Sequence, residues 1–458
     1  SEMSKSRYKV DDASYRIALA SEMMKKVDTR VFPKQFQDRI LNLKDLVKKI
    51  DESTKLYKEA IVFLPELLGK DGRQRYLVFL QNESEIRATG GWLTSYGIIG
   101  VEGGQIREIY VDDVYNADGS LKIKNKKYSP PNSMKNALGI NDWSFSLVNW
   151  YPDLAETHIL AETFTKDLGI GNNIDGVITI DVSFLQKLLN KWGGIEVPGE
   201  DSIVTSDNIY TKIFEMHNNF VPGSTQKTTF LANLANEIVK RVLSMKIGDM
   251  VGLADVFSSS FEEKHIQATF SNSDALNFFR SRNWAGSLDS KYNSAPTAID
   301  WNWGGNKANL FLDKNYVLNV NVQNKNIVSF DYTISVENKS ISENYPYGNY
   351  RNYQRIYLPP DAKITKVQGF ENNKYEIYKE SGFKIVAGWF NTPIKEVSSL
   401  NVAYVLERSA GYENFPLELN GNDVFFDLNI FKQAGEKRFA YKVDIEYPTT
   451  WKLLENDS

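Results

Sequence analysis

Asn82-Glu83-Ser84-Glu85-Ile86-Arg87-Ala88-Thr89-Gly90-Gly91 is the densest run of chemistry-bearing residues in the chain. It follows the apolar run Tyr76-Leu77-Val78-Phe79-Leu80, which reads as a strand buried on both faces. In an open α/β sheet the loop at a strand's carboxyl end is the usual ligand position. Arg87 could grip a phosphate or carboxylate through a bidentate fork. Glu85 and Asp113 are the candidate Mg²⁺ ligands, because Mg²⁺ favours one or two carboxylates plus phosphate oxygens. Asn82 and the Gly90-Gly91 pair would line the same place, the glycines letting backbone approach a ligand. The same spacing also suits an internal Glu85–Arg87 ion pair that stiffens the loop.

Other candidates each carry two readings. Asp112-Asp113 ends a strand and suits a solvated edge or a helix cap, or else a metal ligand. In Asn149-Trp150-Tyr151-Pro152-Asp153, Asp153 is placed to cap a following helix. Gly193-Gly194 reads as a helix stop, since no helix starts after it. His158, His217 and His265 are too far apart in sequence to form a ligand-spaced pair. There is no cysteine, so thiol nucleophiles, disulfides and zinc–thiolate sites are excluded. No Walker loop, Gly-x-Ser-x-Gly elbow or Gly-x-Gly-x-x-Gly fingerprint occurs.

The elements that must position these residues follow from periodicity. The chain has 458 residues, enough for two or three domains. Apolar residues make up 42% and charged residues 24%, an ordinary globular balance. A formal charge of -4 gives no global basic footprint for nucleic acid. Residues 5–69 read as a helical hairpin or stalk. Phe36, Ile40, Leu43, Val47 and Ile50 open a seam in alternating steps of four and three, and Pro65 ends or kinks it. From 70 to 295, strands alternate with helices (153–168, 183–192, 225–245), which predicts an α/β/α layered domain. Ile195-Glu196-Val197 reads as one more strand. From 296 to 450 the helical period disappears and short alternating strands predict a β-sandwich.

Two resemblances add to this reading. The run 81–106 resembles the signature of a bacterial domain-of-unknown-function family, number 4012, with its Asn-x-x-Glu-x-Arg-x-x-Gly-Gly core. Asn149-Trp150-x-Pro152-Asp153 and Asn283-Trp284-x-Gly286 are similar to that family as well. More distantly, residues 172–198 resemble the Asp-Gly strand, helix and Gly-Gly segment of LytR-CpsA-Psr proteins. Those are membrane-anchored enzymes that move glycan polymers from a polyprenyl-pyrophosphate carrier to the wall. The resemblance implies Arg87 on the pyrophosphate, Glu85 or Asp113 near Mg²⁺, and Asn82, Gly90, Gly91 and Asn149 on the substrate. It also implies a place on the outer face of the cytoplasmic membrane or the cell surface, held by a segment outside this sequence. The arginine-rich stretch of that family corresponds here to 210–226, which holds Lys212 and His217 and no arginine.

Three functions fit. One is a Mg²⁺-dependent transferase of cell-surface glycopolymer. Another is a non-catalytic surface protein that binds a glycan or lipid-linked precursor, for which 9 Trp, 24 Tyr and 25 Phe supply stacking surfaces. The third is a structural surface protein assembling through its helices and β-domain.

Overall fold

The computed structural model describes residues 2–171, 173–218, 226–245, 247–289, 294–408, 415–421 and 423–454. Helices α1 (Glu2–Lys25) and α2 (Lys34–Ala60) lie antiparallel. Lys58 pairs with Asp11 at 3.0 Å near the open end, and Lys44 donates to the Val27 carbonyl near the turn. Pro65 sits in the first turn of the short α3 (Leu64–Leu67), so the seam breaks where proline lacks its N–H. Phe36, Leu43 and Tyr57 of that seam stay 42%, 46% and 45% exposed.

The α/β part is built on a mixed five-stranded sheet in the order β3-β2-β1-β4-β5. Its strands are β1 (Gln74–Asn82), β2 (Trp92–Glu102), β3 (Gln105–Asp113), β4 (Gly176–Asp181) and β5 (Ile266–Phe270). Only β1 and β4 run parallel, so their carboxyl ends, Asn82 and Asp181, emerge side by side. Leu77, Phe79 and Val177 face α4 (Val114–Ile123), α5 (Asn132–Leu138) and α6 (Leu154–Leu168) in one core. On the opposite face, Tyr76, Leu80, Ile178 and Ile180 meet side chains of α7 (Val182–Trp192), α8 (Ile209–Asn218), α9 (Gln226–Ser244), α10 (Ile247–Glu262) and α11 (Ser273–Ser281). Burial on both faces is what the unbroken apolar run of β1 requires.

The predicted strand at Ile195–Val197 is a correction. Ile195 makes a single bridge to Val204 and joins no sheet. The segment lies between the αL stop at Gly193 and the turn at Pro198-Gly199, which leaves too little extended chain for a ladder.

The strand-rich half carries eleven strands among the described residues. They are β6 (Thr297–Ile299), β7 (Leu312–Asn324), β8 (Ile327–Asn338), β9 (Tyr350–Leu358), β10 (Lys363–Gln368), β11 (Glu376–Glu380), β12 (Phe383–Thr392), β13 (Val397–Glu407), β14 (Leu417–Asn420), β15 (Asp423–Phe426) and β16 (Ala440–Glu446). One sheet runs β10-β13-β8-β7-β16 and a second runs β11-β12-β9-β6. Leu318, Val320 and Tyr404 of the first share a core with Ile356, Val386 and Phe390 of the second.

The second sheet has no solvent face over much of its area. Its other side, Tyr353, Tyr357, Ile385 and Ala387, packs into the α/β core against Trp150 and Trp301. Those two indoles are fully buried with centroids 4.9 Å apart. Burying each is worth on the order of 3 kcal/mol. The boundary near residue 296 therefore separates two architectures that share one continuous core.

Candidate functional site

The loop from Asn82 to Gly91 lies where β1 ends, and the fold closes over it. All its residues are buried except Glu85, which is partly so. Gln433, from the segment before β16, donates to the Arg87 carbonyl at 3.0 Å, and Gln267 of β5 donates to the Thr89 carbonyl at 2.9 Å.

Arg87 is 3% exposed and enclosed by three tryptophans. Its guanidinium carbon lies 4.9 Å from the Trp92 ring, 4.9 Å from Trp301 and 5.6 Å from Trp303. Nη1 donates to the Ile86 carbonyl at 3.1 Å and to the Asn302 carbonyl, while Nε has no partner. Indole faces replace water around the cation. Burial lowers its pKa to about 10, with Glu85 opposing the shift.

The expected Glu85–Arg87 ion pair is not the one formed. Glu85 pairs with Lys307, whose side chain is 3% exposed. The reason is geometric: the loop's 3-10 turn at Glu83–Glu85 sends Glu85 toward the turn at Ala308–Phe311, and Arg87 toward the indoles. Asp113 caps α4 by accepting from Tyr115 N at 2.9 Å and binds Lys227 at 2.7 Å. Tyr115 stands in the field of Asp113, Glu85 and Arg87 together, and burial with the two carboxylates raises its pKa. The Glu85 and Asp113 charges thus neighbour one tyrosine, but each is already met by a lysine. A divalent cation at either would have to displace a largely buried ammonium, so these residues do not fit the Mg²⁺ site expected of them. Among the described residues, no three His, Asp or Glu side chains converge as metal ligands.

The remaining candidates hold the loop itself. The Asn82 side-chain oxygen Oδ1 accepts from Ser84 N at 3.1 Å and from the Tyr210 hydroxyl at 3.3 Å. Asn149 is wholly buried and donates to Thr89 Oγ1 at 3.2 Å and to the Gly91 carbonyl at 3.0 Å. The glycines admit protein backbone. A Cβ on Gly91 would stand 2.3 Å from the Asn82 carbonyl carbon, and one on Gly435 would stand 1.9 Å from the Gly90 oxygen. Asp153 caps α6 as expected, accepting from Ala155 N at 2.8 Å.

Sequence reasoning gave Glu83, Asp181, His265 and Lys437 no part in the site. Glu83, 2% exposed, accepts from Val182 N and Ser183 N, both at 3.1 Å, and from Ser183 Oγ at 2.8 Å. It fills the N-terminus of α7, where an anion would otherwise be favoured. Lys437 approaches it at 3.0 Å. Burial opposes its charge, yet Lys437 and the hydrogen bonds outweigh that and lower its pKa. Asp181 caps the same helix through Phe184 N at 3.0 Å and bonds His265 Nδ1 at 2.6 Å. Burial and the Glu83 carboxylate raise the Asp181 pKa to about 6. The adjacent parallel ends of β1 and β4 were the available signal, but it needed the sheet order to be read. His158 is structural, its Nε2 lying 3.0 Å from the Ile174 carbonyl. Residues 219–225 of the 210–226 stretch lie outside the described residues, as does the side chain of His217.

Residues 71–216 match the family model described as Protein of unknown function (DUF4012). No curated protein matches the chain. Among solved structures, the Lin1025 protein from Listeria innocua aligns over 50% of this chain and 85% of its own at 12% identity, with a TM-score of 0.27. An M1 zinc metallopeptidase mutant from Deinococcus radiodurans, bound to a Tyr-Ser-Ala substrate, aligns over 21% of each chain at 14% identity with a TM-score of 0.15. Overlaps this weak carry no argument about fold or chemistry.

The DUF4012-matching segment contains the whole 82–91 loop but not its main partners. Lys307, Trp301, Trp303, Gln267, Gln433 and Lys437 all lie beyond residue 216. The loop is thus completed by the rest of the chain.

Proposed function

We propose that this chain is a non-catalytic protein of the cell envelope that binds a wall or lipid-linked glycan. One observation carries the reading: the charged groups that pyrophosphate transfer would need are engaged inside the chain. Arg87 is boxed by indoles, Glu85 and Asp113 are paired with lysines, and Glu83 occupies the N-terminus of α7. Transfer chemistry needs such groups aimed at developing charge on a substrate. The place outside the membrane rests on the LytR-CpsA-Psr resemblance alone. Among the described residues no helix is long and apolar enough to cross a membrane.

The test uses the whole chain with two substrates. Incubated with Mg²⁺ and a polyprenyl-pyrophosphate-linked oligosaccharide, it should release no free carrier, as followed by mass spectrometry. Mixed with isolated Gram-positive wall polysaccharide, it should co-sediment saturably. Mg²⁺-dependent release of the carrier would restore the transferase reading and remove this one.

A further inference from the structure

A cleft of about 540 Å³ lies far along the chain from the loop, between α5, the start of α6 and strand β11. Its volume falls within the roughly 300–1,000 Å³ of small-molecule sites. No residue of the 82–91 loop lines it. We infer that this cleft binds a saccharide bearing a free amino group, with Glu156 and Glu376 facing the ammonium and Tyr151 and Tyr378 facing the sugar ring. The inference deepens the glycan-binding reading and rests on it.

The lining has the mixture that sugars require. Tyr151 and Tyr378 offer flat, partly apolar faces with polar tips. Asn132 and Asn136 offer amides that both donate and accept, which suits adjacent hydroxyls. The Tyr378 hydroxyl itself is buried and has no hydrogen-bond partner.

Charge selects the kind of sugar. Glu156, Glu376 and Glu380 line the cleft against one lysine, Lys379. Glu380 is neutralised from behind by Arg355 at 3.3 Å and holds the Tyr357 hydroxyl at 2.6 Å. Among the ion pairs of described residues, none includes Glu156 or Glu376. Among the described residues, the Asn136 amide at 3.3 Å is the side-chain donor to Glu376. Burial raises the Glu156 pKa against a hydrogen bond from Ser381, with Asp153 and Glu380 adding to the rise, so its carboxylate gains from an arriving cation. A phosphate-rich polymer would meet like charge here.

The site is also braced. Ser133 Oγ donates to Glu380 at 2.9 Å, tying α5 to β11. Arg355 lies 4.1 Å from the Trp150 ring and donates to the Trp150 carbonyl at 2.6 Å. The cleft floor is therefore fastened to the shared core, so little ordering is left for a ligand to impose.

Calorimetric titration of the full chain with glucosamine hexasaccharide tests this, with N-acetylglucosamine hexasaccharide and polyphosphate as comparisons. The free-amine sugar should bind, the acetylated one should bind about 10-fold more weakly, and polyphosphate should not compete. Glu156→Gln should weaken binding at least about 10-fold, and Tyr378→Ala roughly 2- to 10-fold. Glu376→Gln, at an exposed strand position, gives a second carboxylate test in which folding is not at risk. Equal affinity for the acetylated sugar, competition by polyphosphate, or unchanged binding in both glutamine variants overturns the proposal. If the variants also bind wall polysaccharide as well as the parent does, the cleft assignment fails while the glycan-binding reading stands. If the parent binds no saccharide at all, both fall.

Discussion

Lys307 of the strand-rich half reaches into the α/β half and pairs with Glu85, 222 residues earlier in the chain. With side chains 3% and 13% exposed, the pair is nearly dry. Removing one partner leaves the other charge uncompensated. Lys307→Met should therefore destabilise by about 3–5 kcal/mol. A double-mutant cycle with Glu85→Gln should give a coupling energy of roughly 2 kcal/mol by urea denaturation. Strictly additive single variants would show that the two groups do not depend on each other.

Arg87 should prove to be a structural cation. Arg87→Ala leaves the Asn302 carbonyl unmatched and a void among Trp92, Trp301 and Trp303. The expected loss is about 3 kcal/mol in chemical unfolding. Lys at this position should recover only part of it, because an ammonium cannot lie flat among three indoles. An Arg87→Ala variant as stable as the parent would return the residue to the list of ligand contacts.

The glycines of the loop give a sharper contrast. Gly91→Ala puts a methyl group 2.3 Å from the Asn82 carbonyl carbon, where only backbone movement can make room. Thermal unfolding should show a cost of at least about 3 kcal/mol. Gly103 has φ +59 and open space around it, so Gly103→Ala should cost only about 1–2 kcal/mol. Similar costs at the two positions would mean that close approach is not what the Gly91 site demands.

Lys264 predicts a pH dependence. Its ammonium is buried, 3.5 Å from the Phe431 ring, with no hydrogen-bond partner. Burial, helped by Lys432, lowers its pKa to about 7 from 10.5. Between those values the unfolded chain holds a proton that the folded chain has released, so this group makes stability rise with pH from about 7 to 10.5. Lys264→Met should flatten that rise and add about 2 kcal/mol or more at pH 6. Urea midpoints across this range would check it. A variant whose midpoints keep the parent's slope would place the titration elsewhere.

Much of the local structure was decided by the sequence alone. The apolar run 76–80 dictates a strand covered on both sides, and the alternation through 317–322 dictates one covered on a single side. Asp153 announces a helix start and Gly193 a helix end, because caps depend on neighbours a few residues away. The Ile195–Val197 segment has strand-like residues yet forms no ladder, since a strand also needs a partner of matching length.

What each charged group touches was decided only by the tertiary structure. Spacing made Glu85 and Arg87 natural partners, but packing turned them apart, one to Lys307 and the other to indoles. It also brought Glu83 to the first turn of α7, about a hundred residues on, and set Glu156 and Glu376 in the lining of one cleft. Periodicity is a local property that a chain carries in its own order. The partner of a buried charge is chosen by whichever distant segment folding leaves beside it.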